Sequence, residues 1–183
     1  MVGELYLKNW DWQLTRDLVR SDNLLQVRTA AASLRISKEV VARLEHLDAR
    51  ELECVVEGNA RERGYLLWAA ACRRYEFICE FAVEVLREYF LTLRQVLSLK
   101  DFDVFFNGKA MWHDELDSTK PSTQNKLRQN LFRMMREADL ISPENLIQPA
   151  MLTPRLAGLL SPRGREAFLI YPIADTDIAR WQA

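Results

Sequence analysis

The clearest pattern of apolar and polar positions along the chain lies between residues 121 and 138. Apolar side chains recur there every three or four residues, which is the spacing of one buried stripe on an α-helix. The stripe consists of Leu127, Leu131, Met134, Met135 and Ala138. Lys120 precedes a proline and is therefore disfavoured in the helical conformation, whereas Pro121 suits the first helical position. The pattern predicts an amphipathic helix that begins at Pro121.

Helical periodicity also dominates the N-terminal part of the chain. Four helices are predicted there, at Asp11–Arg20, at Asn23–Leu34, from a Ser37 cap to Leu47, and from Asp48 to Gly58. Asp48 and Glu51 have the spacing of a capping box, in which each side chain accepts a hydrogen bond from the other residue's backbone N–H. Residues 1–9 are predicted to form a short strand or an arm.

The most apolar segment, residues 65–97, is too long and too apolar for a surface helix. It predicts either one long helix or two helices broken near Arg73-Arg74, at the centre of a helical bundle. Ser98 is a candidate cap for a short helix, Lys100–Phe106, that ends at Asn107-Gly108. A loop would then lead to the helix at Pro121.

After residue 138 the chain changes to short apolar segments separated by prolines. Short strands are predicted at Leu140-Ile141, Asn145–Met151 and Phe168–Ile173. Between the last two, the sequence predicts a short helix up to Leu160 and a basic turn at residues 161–165. A helix followed by strands that can pair resembles a winged helix. The predicted fold class is therefore mainly α. A helical bundle over residues 1–98 would carry a winged-helix-like part with two or three short strands over residues 99–183, as a packed subdomain or within one compact domain.

Positive charge is concentrated on the predicted helix. The chain has a net charge of −1, yet five basic residues and no acidic residue lie between Ser118 and Arg136. The five are Lys120, Lys126, Arg128, Arg133 and Arg136. Three of them share an arc opposite the apolar stripe with the polar residues Ser122, Asn125 and Gln129. Such a face suits contacts with the backbone and grooves of DNA, although a solvated surface helix has the same composition.

Catalytic and metal-binding motifs are not found in the sequence. It has no glycine-rich phosphate loop, no nucleophile elbow and no zinc-protease motif. Its two histidines, His46 and His113, are a thin supply for acid–base chemistry. His113 with Asp114 and Glu115 is a weak metal candidate, because neighbours in a loop rarely converge on one ion. We therefore predict a protein that is not an enzyme and has no cofactor and no metal.

Cysteine usage and hydropathy indicate the compartment. The three cysteines are an odd number and lie in apolar helical segments, which indicates reduced core residues. No uncharged stretch approaches the roughly 20 residues that span a bilayer, and the N-terminus lacks the pattern of a signal peptide. The sequence predicts a cytoplasmic protein with no membrane partner.

A diffuse set of residues from about Leu14 to Ile173 resembles a known family. The N-terminal members of the set are Asn23, Gln26, Arg28, Thr29-Ala30, Arg35 and Arg43-Leu44, and the apolar residues 66–90 follow. The clearest members are Ser122-Thr123, Lys126-Leu127, Phe132-Arg133 and Glu137-Ala138, with Leu140-Ile141 behind them. In order, spacing and length, the chain resembles the BrxA family, the small proteins of BREX (bacteriophage exclusion) defence systems.

This resemblance implies a fold like that of NusB, a helical transcription antitermination protein. It also implies association with double-stranded DNA beside other BREX proteins, and it supplies no catalytic residues. With the basic helix, it predicts a non-catalytic component of BREX that binds double-stranded DNA. The predicted DNA-binding residues are Lys120, Ser122, Thr123, Asn125, Lys126, Gln129, Arg133, Arg136, Arg163 and Arg165. The alternatives are a protein-interaction adaptor that docks through Trp10, Trp12 and the Arg61–Arg74 helix, and RNA binding by analogy with NusB.

Overall fold

The computed structural model describes residues 1–182 and is mainly helical. The chain divides into two units between Arg74 and Tyr75. The division coincides with a break in the apolar segment near Arg73-Arg74, which was one of the two predicted arrangements. The predicted boundary after residue 98 therefore falls inside the second unit.

The first unit contains five helices. They are α1 (Val2–Asn9), α2 (Trp12–Ser21), α3 (Ala30–Leu44), α4 (Ala49–Glu57) and α5 (Ala60–Arg74). The prediction of a strand or arm at residues 1–9 is wrong, because α1 is a helix that packs against α4. Gly3 lies at this contact, where a Cβ would be 3.5 Å from Val56, an ordinary van der Waals distance.

The segment between α2 and α3 differs from its prediction. Asn23 and Gln26 have positive φ angles of 45° and 51°, so the chain turns where a helix was expected. The helix begins only at Ala30, after Thr29 accepts a hydrogen bond from the Ala32 N–H at 3.2 Å. Ser37 does not cap a helix but lies buried inside α3 and donates to the Leu34 carbonyl. One helix thus replaces the two that were predicted.

The capping box at the start of α4 is confirmed. The Asp48 side chain accepts from the Glu51 N–H, and Glu51 accepts from the Asp48 N–H, both at 2.9 Å. Glu51 is fully buried and also pairs with Arg73 at 2.7 Å. The same carboxylate therefore caps α4 and joins it to α5, above a core that includes Val19, Val41, Leu44, Leu52 and Ala70.

The second unit begins with a nearly continuous helical run. It consists of α6 (Glu76–Phe81), a π-helical segment (Ala82–Arg87) and α7 (Glu88–Leu91). The run ends earlier than the predicted Leu97, because Leu93 has a φ of 60°. The N–H groups of Leu93 and Arg94 there bond to the carbonyls of Phe90 and Tyr89.

The remaining helices of this unit follow in order. They are α8 (Leu99–Ala110), α9 (Asp114–Asp117), α10 (Pro121–Glu137), α11 (Pro154–Leu160) and α12 (Asp175–Gln182). Ser98 caps α8 as predicted, but the helix continues through Asn107-Gly108 instead of ending there. Phenylalanine rings of α6 and α8 form the core beneath them: Phe77, Phe81, Phe102, Phe105 and Phe106.

The predicted winged-helix-like part with short strands is wrong. Pairing within residues 1–182 is confined to two isolated bridges, between Val96 and Leu146 and between Ile141 and Ile147. Residues 168–173, expected as a strand, instead form the end of a 3-10 turn and an irregular segment. Pro172 lacks an N–H for a ladder, and only its carbonyl accepts a bond, from Ala150 at 2.9 Å.

A candidate nucleic-acid interface on α10

The apolar side of α10 holds the helix in the second unit. Leu131, Phe132 and Met135 are buried, and Ala138 follows them just after the helix ends. Leu127 is 41% exposed, so it lies at the margin of the buried stripe. The helix predicted from Pro121 is confirmed, and its buried side leaves the opposite side in solvent.

The opposite side carries most of the residues predicted to bind DNA, and all eight of those on or beside α10 are exposed. The outer face of α10 consists of Ser122, Asn125, Lys126, Gln129, Arg133 and Arg136, and Lys120 and Thr123 are exposed at the helix start. Lys120 and Lys126 have no ion-pair partner in the described part of the chain. Two ammonium groups are therefore available to an anionic ligand without displacing a carboxylate.

Arg128 is a basic residue of α10 that does not belong to the outer face. Its Nη1 lies 2.7 and 2.6 Å from the two carboxylate oxygens of Asp103 on α8. Its Nη2 donates to the Asn125 side-chain oxygen at 2.8 Å. Arg128 is thus neutralised within the fold, and its hydrogen bond already occupies the side-chain oxygen of Asn125. No local sequence pattern predicts this ion pair, because Arg128 and Asp103 are 25 residues apart in sequence.

Arg133 and Arg136 keep their positive charge at the surface while neutral groups orient them. Arg133 donates to the Asn130 side chain at 3.0 Å and lies 3.9 Å from Glu137. Arg136 donates to the Asn145 side-chain oxygen at 2.6 Å. An exposed ion pair at 3.9 Å is weak and screened by salt. Both guanidinium groups therefore remain suited to bind phosphate.

Acidic residues precede the start of α10. Lys120 caps the helix without a side-chain hydrogen bond, and Ser122 and Thr123 are exposed beside it. The short helix α9, which ends just before, carries three acidic residues: Asp114, Glu115 and Asp117. These acidic residues precede the stretch Ser118–Arg136, which contains five basic residues and no acidic residue.

The basic turn after α11 contributes a separate cluster. Arg163 is exposed at the end of the turn Ser161–Arg163. Arg165 pairs with Asp175 on α12 at 2.6 Å, and Arg87 donates to the same carboxylate oxygen at 2.6 Å. Arg165 is therefore already engaged, whereas the sequence interpretation treated it as a free cation.

A metal-binding cluster and a membrane-spanning helix have no candidate among the described residues 1–182. No group of three or more His, Cys, Asp or Glu side chains there is arranged to hold a metal ion. His113 lies 3.6 Å from Glu115, and both are exposed. None of the described helices is long and apolar enough to cross a membrane.

The fold and this face define a helical protein of two units, in which one amphipathic helix turns a cationic side to solvent. The chain belongs to the BrxA family, whose model matches residues 1–164. It is 24% identical over 168 residues to a BREX protein BrxA of Escherichia coli, an alignment that covers 91% of this chain and 79% of that protein. A BREX protein BrxA of Bacillus cereus is 28% identical over 118 residues, which cover 64% of this chain and 59% of that protein.

A solved structure has the same fold. The crystal structure of an uncharacterized protein from Magnetospirillum magneticum aligns with a TM-score of 0.79 over 93% of this chain and 90% of that one. The two chains are 20% identical. At this identity the likeness concerns the fold alone.

Proposed function

We propose that this chain serves in BREX defence as a non-catalytic component that binds double-stranded DNA through the outer face of α10. Its membership of the BrxA family, and the relatives named BREX protein BrxA, support the place in BREX. The observation that carries DNA binding is the exposed set of cations on one helix face, from which Arg128 is excluded by its pair with Asp103.

Each cation of the face has a defined part in this proposal. Lys126, Arg133 and Arg136 contact phosphates, because their charge is not cancelled by a close carboxylate. Lys120 contacts the backbone more weakly, since the acidic residues of α9 precede it. Gln129 is exposed between the cations, where its amide is suited to a base edge or a phosphate oxygen.

The helix start and the basic turn complete the contacts. The hydroxyls of Ser122 and Thr123 donate to a phosphate near the N-terminus of α10, where the helix dipole favours an anion. Arg163 touches the DNA backbone from the turn after α11. Asn125 holds Arg128 in place, so its contribution to DNA is indirect.

The deciding experiment reverses charge on the face. We expect Lys126→Glu combined with Arg133→Glu to abolish binding to a random-sequence duplex at about 0.15 M salt, a loss of at least roughly 100-fold, because two phosphate contacts become repulsive. Both side chains are exposed, so the variant should keep the wild-type melting temperature. The measurement is fluorescence anisotropy with a labelled duplex, together with thermal unfolding.

A matched control separates a local contact from a general charge effect. Lys38→Glu combined with Arg50→Glu makes the same charge change in the first unit, at two exposed residues without a partner in the described chain. This control should bind within about threefold of wild type, since exposed charges that contact no phosphate are screened by salt. Equal losses in the two double variants, or wild-type affinity in the folded α10 variant, would show that α10 is not the interface.

A protein-interaction adaptor is the second candidate, and exposed aromatic residues favour it. Trp10 is 61% exposed, and Trp112 in the loop before α9 is 83% exposed. Trp12, in contrast, stacks on Tyr6 with ring centroids 3.7 Å apart. Tryptophan is a frequent anchor of protein interfaces. A wild-type chain that shifts no duplex but co-purifies with a larger BREX protein, in a way that Trp112→Ala abolishes, would favour the adaptor.

A further inference from the structure

A second cluster of cations in the same unit has an unusual arrangement around Asp175. Arg87, at the end of the π-helical segment, and Arg165 each place an Nη2 atom 2.6 Å from the same carboxylate oxygen. Asp175 is the first residue of α12 and is about half exposed, as is Arg165. One carboxylate thus faces two guanidinium groups, so the cluster keeps a net positive charge.

Arg87 is only partly satisfied by this carboxylate. Its side chain is 6% exposed, and its Nε is buried without a hydrogen-bond partner among residues 1–182. The Nε and Nη2 groups of arginine form a planar fork that matches two oxygens of one oxyanion. Asp175 offers one oxygen to Nη2 and leaves Nε unbonded. A buried donor left without a partner destabilises the folded state.

We infer that Arg87 and Arg165 form a phosphate-binding site, which Asp175 occupies as an internal anion until a DNA phosphate replaces it. A phosphate has enough acceptor oxygens to bond Nε and Nη2 of Arg87 and Nη2 of Arg165 together. Asp175 is exposed enough to turn into solvent when it is replaced. This inference rests on the proposed function and adds a second phosphate contact to it, apart from α10.

The proposed site predicts opposite effects on affinity for the duplex when the carboxylate and the arginine are substituted. Asp175→Asn keeps an oxygen for Arg87 but removes the competing charge, so affinity for the duplex should rise about three- to tenfold. Arg165→Gln should lower affinity by a similar factor, because a phosphate contact is lost. In the double variant the gain from Asp175→Asn should disappear, since it depends on Arg165.

Two control substitutions on α12 remove the same types of charge. Asp177→Asn removes one exposed acid two residues away, and Arg180→Gln removes the exposed arginine that pairs with Asp177 at 3.2 Å. Each should alter affinity by less than about twofold, since exposed charges off the contact surface are screened. Melting temperatures are measured for every variant. Should Asp175→Asn unfold the chain, the comparison of Arg165→Gln with Arg180→Gln decides alone.

The outcomes separate this site from α10. Equal gains from Asp175→Asn and Asp177→Asn indicate general electrostatics and overturn the inference, as does unchanged affinity in Asp175→Asn or Arg165→Gln. A wild-type chain that binds duplex while these variants behave like their controls leaves the proposed function in place and removes only the second site. A wild-type chain that binds no duplex at low salt overturns both.

Discussion

Leu93 occupies a backbone position that glycine usually fills. It has a φ of 60° just after α7 ends, and the N–H of Arg94 bonds back to the Tyr89 carbonyl there. A left-handed conformation costs an L-residue with a side chain roughly 1–2 kcal/mol. The side chain is 86% exposed, so packing returns little of this free energy.

We therefore expect Leu93→Gly to stabilise the protein. Relief of the left-handed strain outweighs the added chain entropy of glycine, for a net gain of about 0.5–1 kcal/mol in the free energy of unfolding. Leu93→Ala is the matched control, because alanine keeps the strain and should leave stability nearly unchanged. Urea denaturation measures both variants. A gain in Leu93→Ala equal to that in Leu93→Gly would contradict the backbone explanation.

At the scale of one element, Asp101 organises the start of α8. Its carboxylate accepts from the Ser98 N–H and hydroxyl at 2.7 Å, from the Tyr89 hydroxyl at 3.0 Å and from Arg94 at 2.7 Å. Burial by itself would raise the pKa of Asp101. The hydrogen bonds from Ser98, Tyr89 and Arg94 outweigh burial and hold the pKa below its usual 3.8.

This lowered pKa gives a pH-dependent contribution to stability. The folded state binds the Asp101 proton less readily than the unfolded state. The contribution is therefore complete above the unfolded pKa of about 3.8 and is lost as pH falls through the lower folded value. We expect Asp101→Asn to cost about 1–3 kcal/mol at neutral pH, and less as the pH falls below about 3.8. Urea denaturation at a series of pH values tests this, and an equal loss at all pH values would contradict it.

How far the elements can be predicted depends on where their determinants lie. The Asp48–Glu51 capping box and the start of α10 at Pro121 are determined by residues close together in the sequence, and both predictions are confirmed. The α2–α3 turn was missed because Asn23 and Gln26 adopt left-handed angles that periodicity does not reveal. The strands after residue 138 were overpredicted from short apolar runs that are instead buried side chains of irregular chain, such as Tyr171.

For the candidate interface, too, features determined by neighbouring residues are predictable, and features that depend on distant segments are not. Helical periodicity correctly predicts that Lys126 and Arg133 are exposed, but it assigns to the buried stripe Leu127, which is 41% exposed. Ion pairs between distant segments could not be predicted, because the Arg128–Asp103 and Arg165–Asp175 pairs require the fold to bring their members together. Sequence therefore located the cations, and the structure distinguishes those that are neutralised from those that are not.

For the whole molecule, charge determines how binding should depend on salt. The net charge of −1 gives little long-range attraction to DNA, so affinity rests on local contacts. With about five phosphate contacts, log affinity should fall with log salt at a slope near −4.5, a loss of roughly 500-fold between 50 and 200 mM. A salt series with duplex, single-stranded DNA and RNA competitors measures this. A slope near zero, or stronger competition by RNA, would contradict duplex binding by the cationic face.

The hydrogen bond between Arg136 and Asn145 determines whether the side-chain entropy of Arg136 is lost during folding or during binding. A free arginine on a helix surface samples many rotamers, and fixing one at an interface costs about 0.5–1.5 kcal/mol during association. Asn145 fixes the Arg136 guanidinium at 2.6 Å before any ligand arrives. That loss of entropy belongs to folding rather than to binding. In the proposed complex with DNA, Arg136 is thus a preorganised contact, whereas Lys126, which has no partner in the described chain, becomes ordered only on binding.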